Sequence, residues 1–221
     1  IYPLSLHDAL PIYILGHKLR EAGLEGDVDV TTIPLGGKFT IGPFELELIT
    51  LTHSIPEPNA IAIRTPVGTV LHTGDWKFDP DPVVGEVSDE DALRQLGEEG
   101  TLAIICDSTN VFTSGTSGSE GDLLKSLTDL ISTLKNRVVV TCFASNVARL
   151  ETIAAAAAAN DRDVVLAGRA LWRFSEVGRA NGCLQDTPAF LEEDQAGFLP
   201  RDKTLIVCTG SQGEPRAALS R

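Results

Sequence analysis

Residues 51–75 read LTHSIPEPNAIAIRTPVGTVLHTGD, and this stretch decides the fold. His53 follows an apolar, strand-like run, Phe44–Leu51. A second such run, Thr69–His72, ends in the tight turn Thr73-Gly74 and then Asp75. An imidazole and a carboxylate at successive strand ends can converge in one cleft, and both are zinc-ligand types. A lone loop histidine and a lone turn aspartate would read as structural. His72, three residues before Asp75, reads as structural.

Working outward, hydrophobic periodicity divides the chain into two halves. In the first, Ile14–Ala22 reads as a helix, Phe39–Ile41 and Phe44–Leu51 as strands around Gly42-Pro43, and Ala60–Arg64 pairs with Thr69–His72 across Pro66-Val67-Gly68. Asp79–Gly85 is the clearest loop. In the second half strands and helices alternate. Strands are expected at Leu102–Cys106, Arg137–Cys142, Asp163–Ala167 and Thr204–Cys208. Helices are expected at Glu120–Leu134, Val147–Ala159 and Leu171–Asn181. That rhythm predicts a parallel sheet covered by helices.

Small polar residues recur at these strand ends: Cys-Asp-Ser-Thr-Asn (106–110), Phe-Ala-Ser-Asn (143–146), Ala-Gly-Arg (167–169) and Thr-Gly-Ser-Gln-Gly-Glu-Pro (209–215). Ligands of open α/β sheets bind beyond the carboxyl ends of strands, and helix N-terminal N–H groups there suit phosphate. Ordinary N-capping explains each motif equally well. None is a Walker A loop or a G-x-G-x-x-G turn.

The formal net charge of −13 excludes broad coating of polyanions, which needs a basic surface, but leaves room for a local arginine groove. Cys106, Cys142, Cys183 and Cys208 contain no C-x-x-C pair, so neither a cysteine zinc knuckle nor a disulfide framework is expected, and a reducing cytoplasm fits. No run of 18 apolar residues exists to span a membrane. Residues 1–12, IYPLSLHDALPI, read as a foreign segment, and His7-Asp8 within it is set aside as a metal motif.

T-H-S-I-P (52–56), H-T-G-D-W-K-F-D (72–79), C-D-S-T-N (106–110), S-E (119–120), F-A-S-N-V-A-R-L-E-T-I (143–153) and T-G-S-Q-G-E-P-R-A-A-L-S-R (209–221) occur in that order. Together they resemble the bacterial ribonuclease J family of metallo-β-lactamase/β-CASP nucleases, from about Tyr13 to Arg221. The resemblance implies an α/β chain: a partial metallo-β-lactamase αββα sandwich over 13–105, then the start of a β-CASP α/β domain over 106–221. It makes His53 a ligand of one zinc and Asp75 the carboxylate bridging two. Asp107 becomes an acidic catalytic residue, and Ser145, Asn146 and Arg149 fall along the RNA path. In such enzymes two Zn2+ ions activate water for attack on phosphorus, giving 5′-phosphate ends by 5′→3′ exonuclease and endonuclease action in RNA processing and decay. The implied partner is RNA, with 5′-monophosphorylated single strands favoured, and the full enzyme would be a homo-oligomer away from membranes. The family's H-x-H-x-D-H motif and its later histidines find no counterpart, so the expectation is an internal stretch, inactive alone. Two other readings stay open: a related hydrolase acting on DNA or on messenger-RNA 3′ ends, and a non-enzymatic phosphate-binding module.

Overall fold

The structure, a computed structural model, describes residues 9–220. The foreign-segment reading of residues 1–12 and the His7-Asp8 pair fall largely outside that range. Residues 9–12 form the first turn of helix α1 (Ala9–Glu21). The chain divides into two compact units between Gly118 and Ser119.

The first unit is built on a five-stranded sheet in the order β1-β2-β3-β4-β5. The strands are β1 (Lys38–Ile41), β2 (Phe44–Thr50), β3 (Asn59–Thr65), β4 (Gly68–His72) and β5 (Ala103–Ile105). The first four form an antiparallel meander, and β5 joins β4 in parallel after helix α2 (Glu90–Glu99). Strand alternation puts Ile49, Ala60, Ala62 and Leu71 on one face, where Leu96, Ala92 and Leu93 of α2 cover them with Leu51 and Trp76. At the far end of that face Glu47 bridges Lys38 at 3.0 Å and Arg64 at 2.6 Å, and Arg64 reaches Glu99 at 2.9 Å. Burial pushes the Glu47 carboxyl up, but hydrogen bonds and charge from Lys38 and Arg64 outweigh it and hold the group below its usual range. The opposite face carries half-buried Leu46, Leu48, Ile61, Ile63 and Val70, with Ile105 more exposed. A sheet apolar on both faces is the inner layer of a sandwich.

Helix α2 was not anticipated from the sequence. Its signal was present: Asp89 accepts a hydrogen bond from the Ala92 N–H, and Ala92, Leu93 and Leu96 share a face. Strand β5 and the loop after it, including Asp107, lie in the first unit, whereas the sequence placed residue 106 at the start of the second domain. The reason is local: β5 is a ladder partner of β4, and the Asp107 N–H donates to the Thr73 hydroxyl at 3.2 Å.

The second unit is a parallel sheet, β6 (Val138–Thr141), β7 (Asp163–Ala167), β8 (Leu191–Glu192) and β9 (Thr204–Cys208), in the order β6-β9-β7-β8. Its helices are α3 (Leu123–Ser132), α4 (Val147–Ala158) and α5 (Arg169–Ala180). The alanine run of α4 is buried on most sides, with Ala154, Ala156 and Ala157 at 1% exposure or less, so small side chains let neighbours approach closely. This is the strand–helix alternation that the sequence predicted, with β8 as a short addition.

Arg162, buried at the entry to β7, has no carboxylate partner among the described residues. Its guanidinium donates instead to the carbonyls of Leu134, Asn136 (2.9 Å) and Thr204 (3.3 Å), joining the end of α3 to the starts of β6 and β9. Arg162→Leu would strand those acceptors, and we expect a loss of about 3 kcal/mol by urea unfolding. An unchanged midpoint would show that the carbonyls find other donors. None of the four cysteines is in a disulfide. Burial pushes the Cys142 thiol up to about 11, against a smaller pull downward from Arg149. At pH 8 only on the order of a thousandth of it is thiolate. Iodoacetamide should therefore label exposed Cys106 first and reach Cys142 only as pH climbs toward 11, as read by peptide mass mapping. Equal labelling rates at pH 8 would contradict the burial.

Candidate functional site

Because β2, β4 and β5 run in one direction, their carboxyl ends lie along one edge of the first sheet. His53 follows β2, Asp75 follows β4 and Asp107 follows β5. Three sets of hydrogen bonds tie these ends together. Thr52 and Lys77 form a β-bridge, with the Lys77 N–H donating to the Thr52 carbonyl at 2.9 Å. Thr73 donates its N–H to the Ile105 carbonyl at 3.0 Å and receives the Asp107 N–H on its hydroxyl. The Trp76 indole N–H donates to the Cys106 thiol at 3.3 Å. Each candidate residue is thus one or two positions from a fixed cross-link.

The turn carrying Asp75 is shaped by its neighbours. Gly74 has φ of 62°, a left-handed conformation that a side chain would strain. Its N–H donates to Nδ1 of His72 at 3.1 Å. His72 therefore serves the turn, as its position suggested.

The three side chains differ in what they have free. Half-buried His53 shares Nδ1 with the Ser54 hydroxyl at 3.2 Å. In the Nδ1–H tautomer its Nε2 keeps the lone pair that a metal takes. The Asp75 carboxylate is exposed and has no hydrogen bond or ion pair among the described residues, so all its lone pairs are open. Asp107 accepts from both the hydroxyl and the N–H of Thr109. Those two bonds, helped by nearby His53, hold its carboxyl below the usual range and keep it anionic. One imidazole nitrogen and one open carboxylate suit zinc as donor types, but they are fewer than the roughly four ligands that each zinc takes. No group of three or more His, Cys, Asp or Glu side chains gathers as a metal cage among the described residues.

In the second unit, Asn146 caps α4 by accepting the Arg149 N–H at 2.8 Å, and it is 7% exposed. Arg149 is gripped by Glu120 through Nε at 2.6 Å and Nη2 at 3.0 Å, a fork-on-carboxylate pair. The capping role that the sequence could not separate from phosphate binding is the one that Asn146 performs here. Ser145 is half-buried, and its hydroxyl is uncommitted among the described residues. Thr52, Thr73 and Glu120 lie in the quoted motifs T-H-S-I-P, H-T-G-D-W-K-F-D and S-E, but their cross-linking roles are not legible there, because the partners of each are set by folding.

A cleft of about 1040 Å³ opens between Thr50, Asp79 and Glu86–Asp91, away from His53, Asp75 and Asp107. Its carboxylates serve the fold: Asp79 pairs with Lys77, Asp89 caps α2, and Glu90 and Asp91 hold Arg94. An acidic lining of this kind repels a polyanion.

Residues 135–221 match the family described as ribonuclease J, beta-CASP domain. The chain is 46% identical over 195 residues to ribonuclease J of Sinorhizobium meliloti, covering 88% of this chain and 35% of that protein. It is 37% identical over 222 residues to ribonuclease J of Thermus thermophilus, covering 99% and 39%. Ribonuclease J2 of Bacillus subtilis is 30% identical over 213 residues, covering 96% and 38%. The chain thus spans a little over a third of the length of these curated relatives. A crystal structure of a protein of unknown function from Enterococcus faecalis shares the fold, with a TM-score of 0.55 and 17% identity over 81% of this chain and 44% of that one. The chain is thus similar to ribonuclease J proteins along most of its length, and residues 135–221 of its second unit match that family's β-CASP domain.

Proposed function

We propose that this chain is part of a zinc-dependent ribonuclease that hydrolyses RNA phosphodiesters in RNA processing and decay, and that His53, Asp75 and Asp107 are its share of the catalytic centre. The observation carrying this reading is the cross-linked edge where β2, β4 and β5 end, in a chain related to proteins named ribonuclease J. His53 and Asp75 would hold the metals. When bound, the zinc pair supplies Lewis acidity toward phosphoryl oxygens and lowers the pKa of the attacking water. The water oxygen joins phosphorus, the 3′-oxygen leaves and takes a proton, and a 5′-phosphate end results.

This chain's residues set the stage for that step. Ser54 fixes the ring of His53 through Nδ1. Gly74 and His72 fix the backbone that presents Asp75. Thr109 holds the Asp107 carboxyl below its usual range and so keeps it anionic. Ser145 offers a hydroxyl toward phosphate, while Asn146 and Arg149 act by shaping the loop and the α4 entry that carry it. The setting in this reading is the cytoplasm, where thiols outside disulfides are stable.

The test uses a polypeptide of the relatives' full length carrying this sequence. Zinc content by metal analysis and hydrolysis of a 5′-monophosphorylated RNA are measured together, with circular dichroism as the folding control. Asp75→Ala should lower kcat/KM on the order of a thousandfold and reduce bound zinc. His53→Ala should cost about a hundredfold, since one metal keeps its other ligands. Asp107→Asn should cost roughly tenfold or more with zinc retained. Full activity in folded Asp75→Ala would overturn the mechanism, and DNA cleaved in preference to RNA would overturn the substrate.

A further inference from the structure

We propose that Asn59 is a positioning residue for His53: its side-chain amide holds the loop that carries the imidazole in a turn that the backbone would not keep unaided. The inference rests on the ribonuclease reading above, in which His53 holds zinc, and adds the residue that sets the far end of the His53 loop.

The loop runs from His53 to Pro58, between β2 and β3. Its near end is fixed by Thr52, which bridges to Lys77. Beyond that point the backbone supports itself poorly. His53, Ser54, Ile55 and Pro56 make no backbone–backbone hydrogen bond among the described residues, although Pro56 is buried. The far end closes at Pro58, whose carbonyl receives the Leu51 N–H at 2.9 Å. Just before it stands Glu57, with φ of 58°. That is the left-handed region, which a glutamate rarely enters. The position is doubly unfavourable, because a residue before proline is pushed toward extended backbone with negative φ. Such a conformation persists only where neighbouring groups impose it.

Asn59 is placed to impose it. Its Nδ2 donates to the Glu57 carbonyl at 2.9 Å. Its Oδ1 is buried and has no hydrogen-bond partner among the described residues. A bare buried acceptor is costly, so the amide is held there by what its nitrogen does. Turned over, it would set oxygen against the Glu57 carbonyl and lose the bond. The backbone of Asn59 is itself fixed. It opens β3 opposite Thr50 at the end of β2, and its carbonyl lies 3.7 Å from where a Cβ on Gly74 would stand. Asn59 therefore stands between the turn that presents Asp75 and the loop that presents His53. On the loop's other side is Gly85, where a Cβ would lie 3.8 Å from the Glu57 nitrogen. Without the amide bond, Glu57 relaxes toward negative φ, and the backbone between the two fixed ends takes another path. His53 moves with it. The Ser54 hydroxyl cannot prevent this, because it rides on the same loop as the ring it touches. A metal reads such a change directly, since groups that orient its ligands alter affinity by about 10- to 100-fold.

The test measures zinc affinity by competition with a chelating dye, in the polypeptide of the relatives' full length. The melting temperature of the metal-free protein and the kinetics on a 5′-monophosphorylated RNA are followed beside it. Asn59→Ala should weaken zinc binding about tenfold. At limiting zinc, kcat should fall about tenfold with KM within about twofold, and saturating zinc should return most of kcat. The metal-free melting temperature should drop by less than about 3 °C. Glycine takes positive φ without a side-chain penalty. Glu57→Gly in the Asn59→Ala background should therefore bring zinc affinity back to within about threefold of the unaltered protein. Unchanged zinc affinity in folded Asn59→Ala overturns the positioning role. So does a melting drop of more than about 10 °C that Glu57→Gly does not reverse, which makes Asn59 a residue of the fold alone. In both cases the ribonuclease reading stands while the unaltered enzyme binds zinc and cuts RNA. An unaltered enzyme that does neither overturns both claims.

Discussion

Thr52 is 3% exposed and sits one residue before His53, and the first unit's site edge depends on how it is satisfied. Its N–H donates to the Ser88 hydroxyl at 3.0 Å, and its carbonyl receives the Lys77 N–H. Its own hydroxyl bonds the Lys77 carbonyl and receives the Asp79 N–H at 3.0 Å. One buried residue thus fastens the end of β2 to the segment after Asp75 and to the approach to α2. A buried polar group left without partners costs about 1–3 kcal/mol, so this cluster is stable only when all of it is formed. That cooperativity is what allows two loops on different strands to hold a fixed relation. The Thr73 hydroxyl extends the same logic to the end of β5, and the result is a row of three loops braced by their backbones.

The second unit solves a similar problem with charge. Its sheet begins at the Arg162 guanidinium, which gathers carbonyls from the end of α3 and the starts of two strands. At the other edge, the Arg149–Glu120 pair joins the segment before α3 to the first turn of α4. Arg162 is buried, so its charge has to be met within the fold, whereas Arg149 is about a third exposed and shares its charge with Glu120 and water. One uses dipoles and the other a carboxylate.

The sequence made most strands legible because they are short apolar runs closed by glycine, proline or small polar residues. Ile49, Ala60 and Leu71 alternate as expected, and the Val/Leu/Ile runs of β6, β7 and β9 read as buried parallel strands. Helix α2 was missed because its charged surface hides a narrow apolar face of Ala92, Leu93 and Leu96. The two-residue β8 exists only because β7 offers it an edge, a tertiary effect with no local trace. For the candidate site, strand-end position singled out His53 and Asp75 and the family resemblance added Asp107, and the polarity of the sheet puts those three ends on one edge. It could not tell which polar side chains stay free. Asn146 and Arg149 looked as available as Ser145, yet a cap and an ion pair consume them, and both partners are set by folding.

A chain with a net charge of −13 can serve a polyanion only if its negative charge is kept away from the strand's path or cancelled along it. The structure does both within its units. In the first, the densest run of acid, Glu86–Asp91, lines a cleft apart from His53, Asp75 and Asp107, where Arg94 holds Glu90 and Asp91 and Lys77 pairs with neighbouring Asp79. In the second, Glu120 on the approach to α3 is cancelled by Arg149. At a Debye length of about 8 Å in physiological salt, a bound phosphate would respond to its nearest charges far more than to the total. Under the proposed reading the overall acidity disfavours indiscriminate adsorption of nucleic acid and confines attraction to local sites.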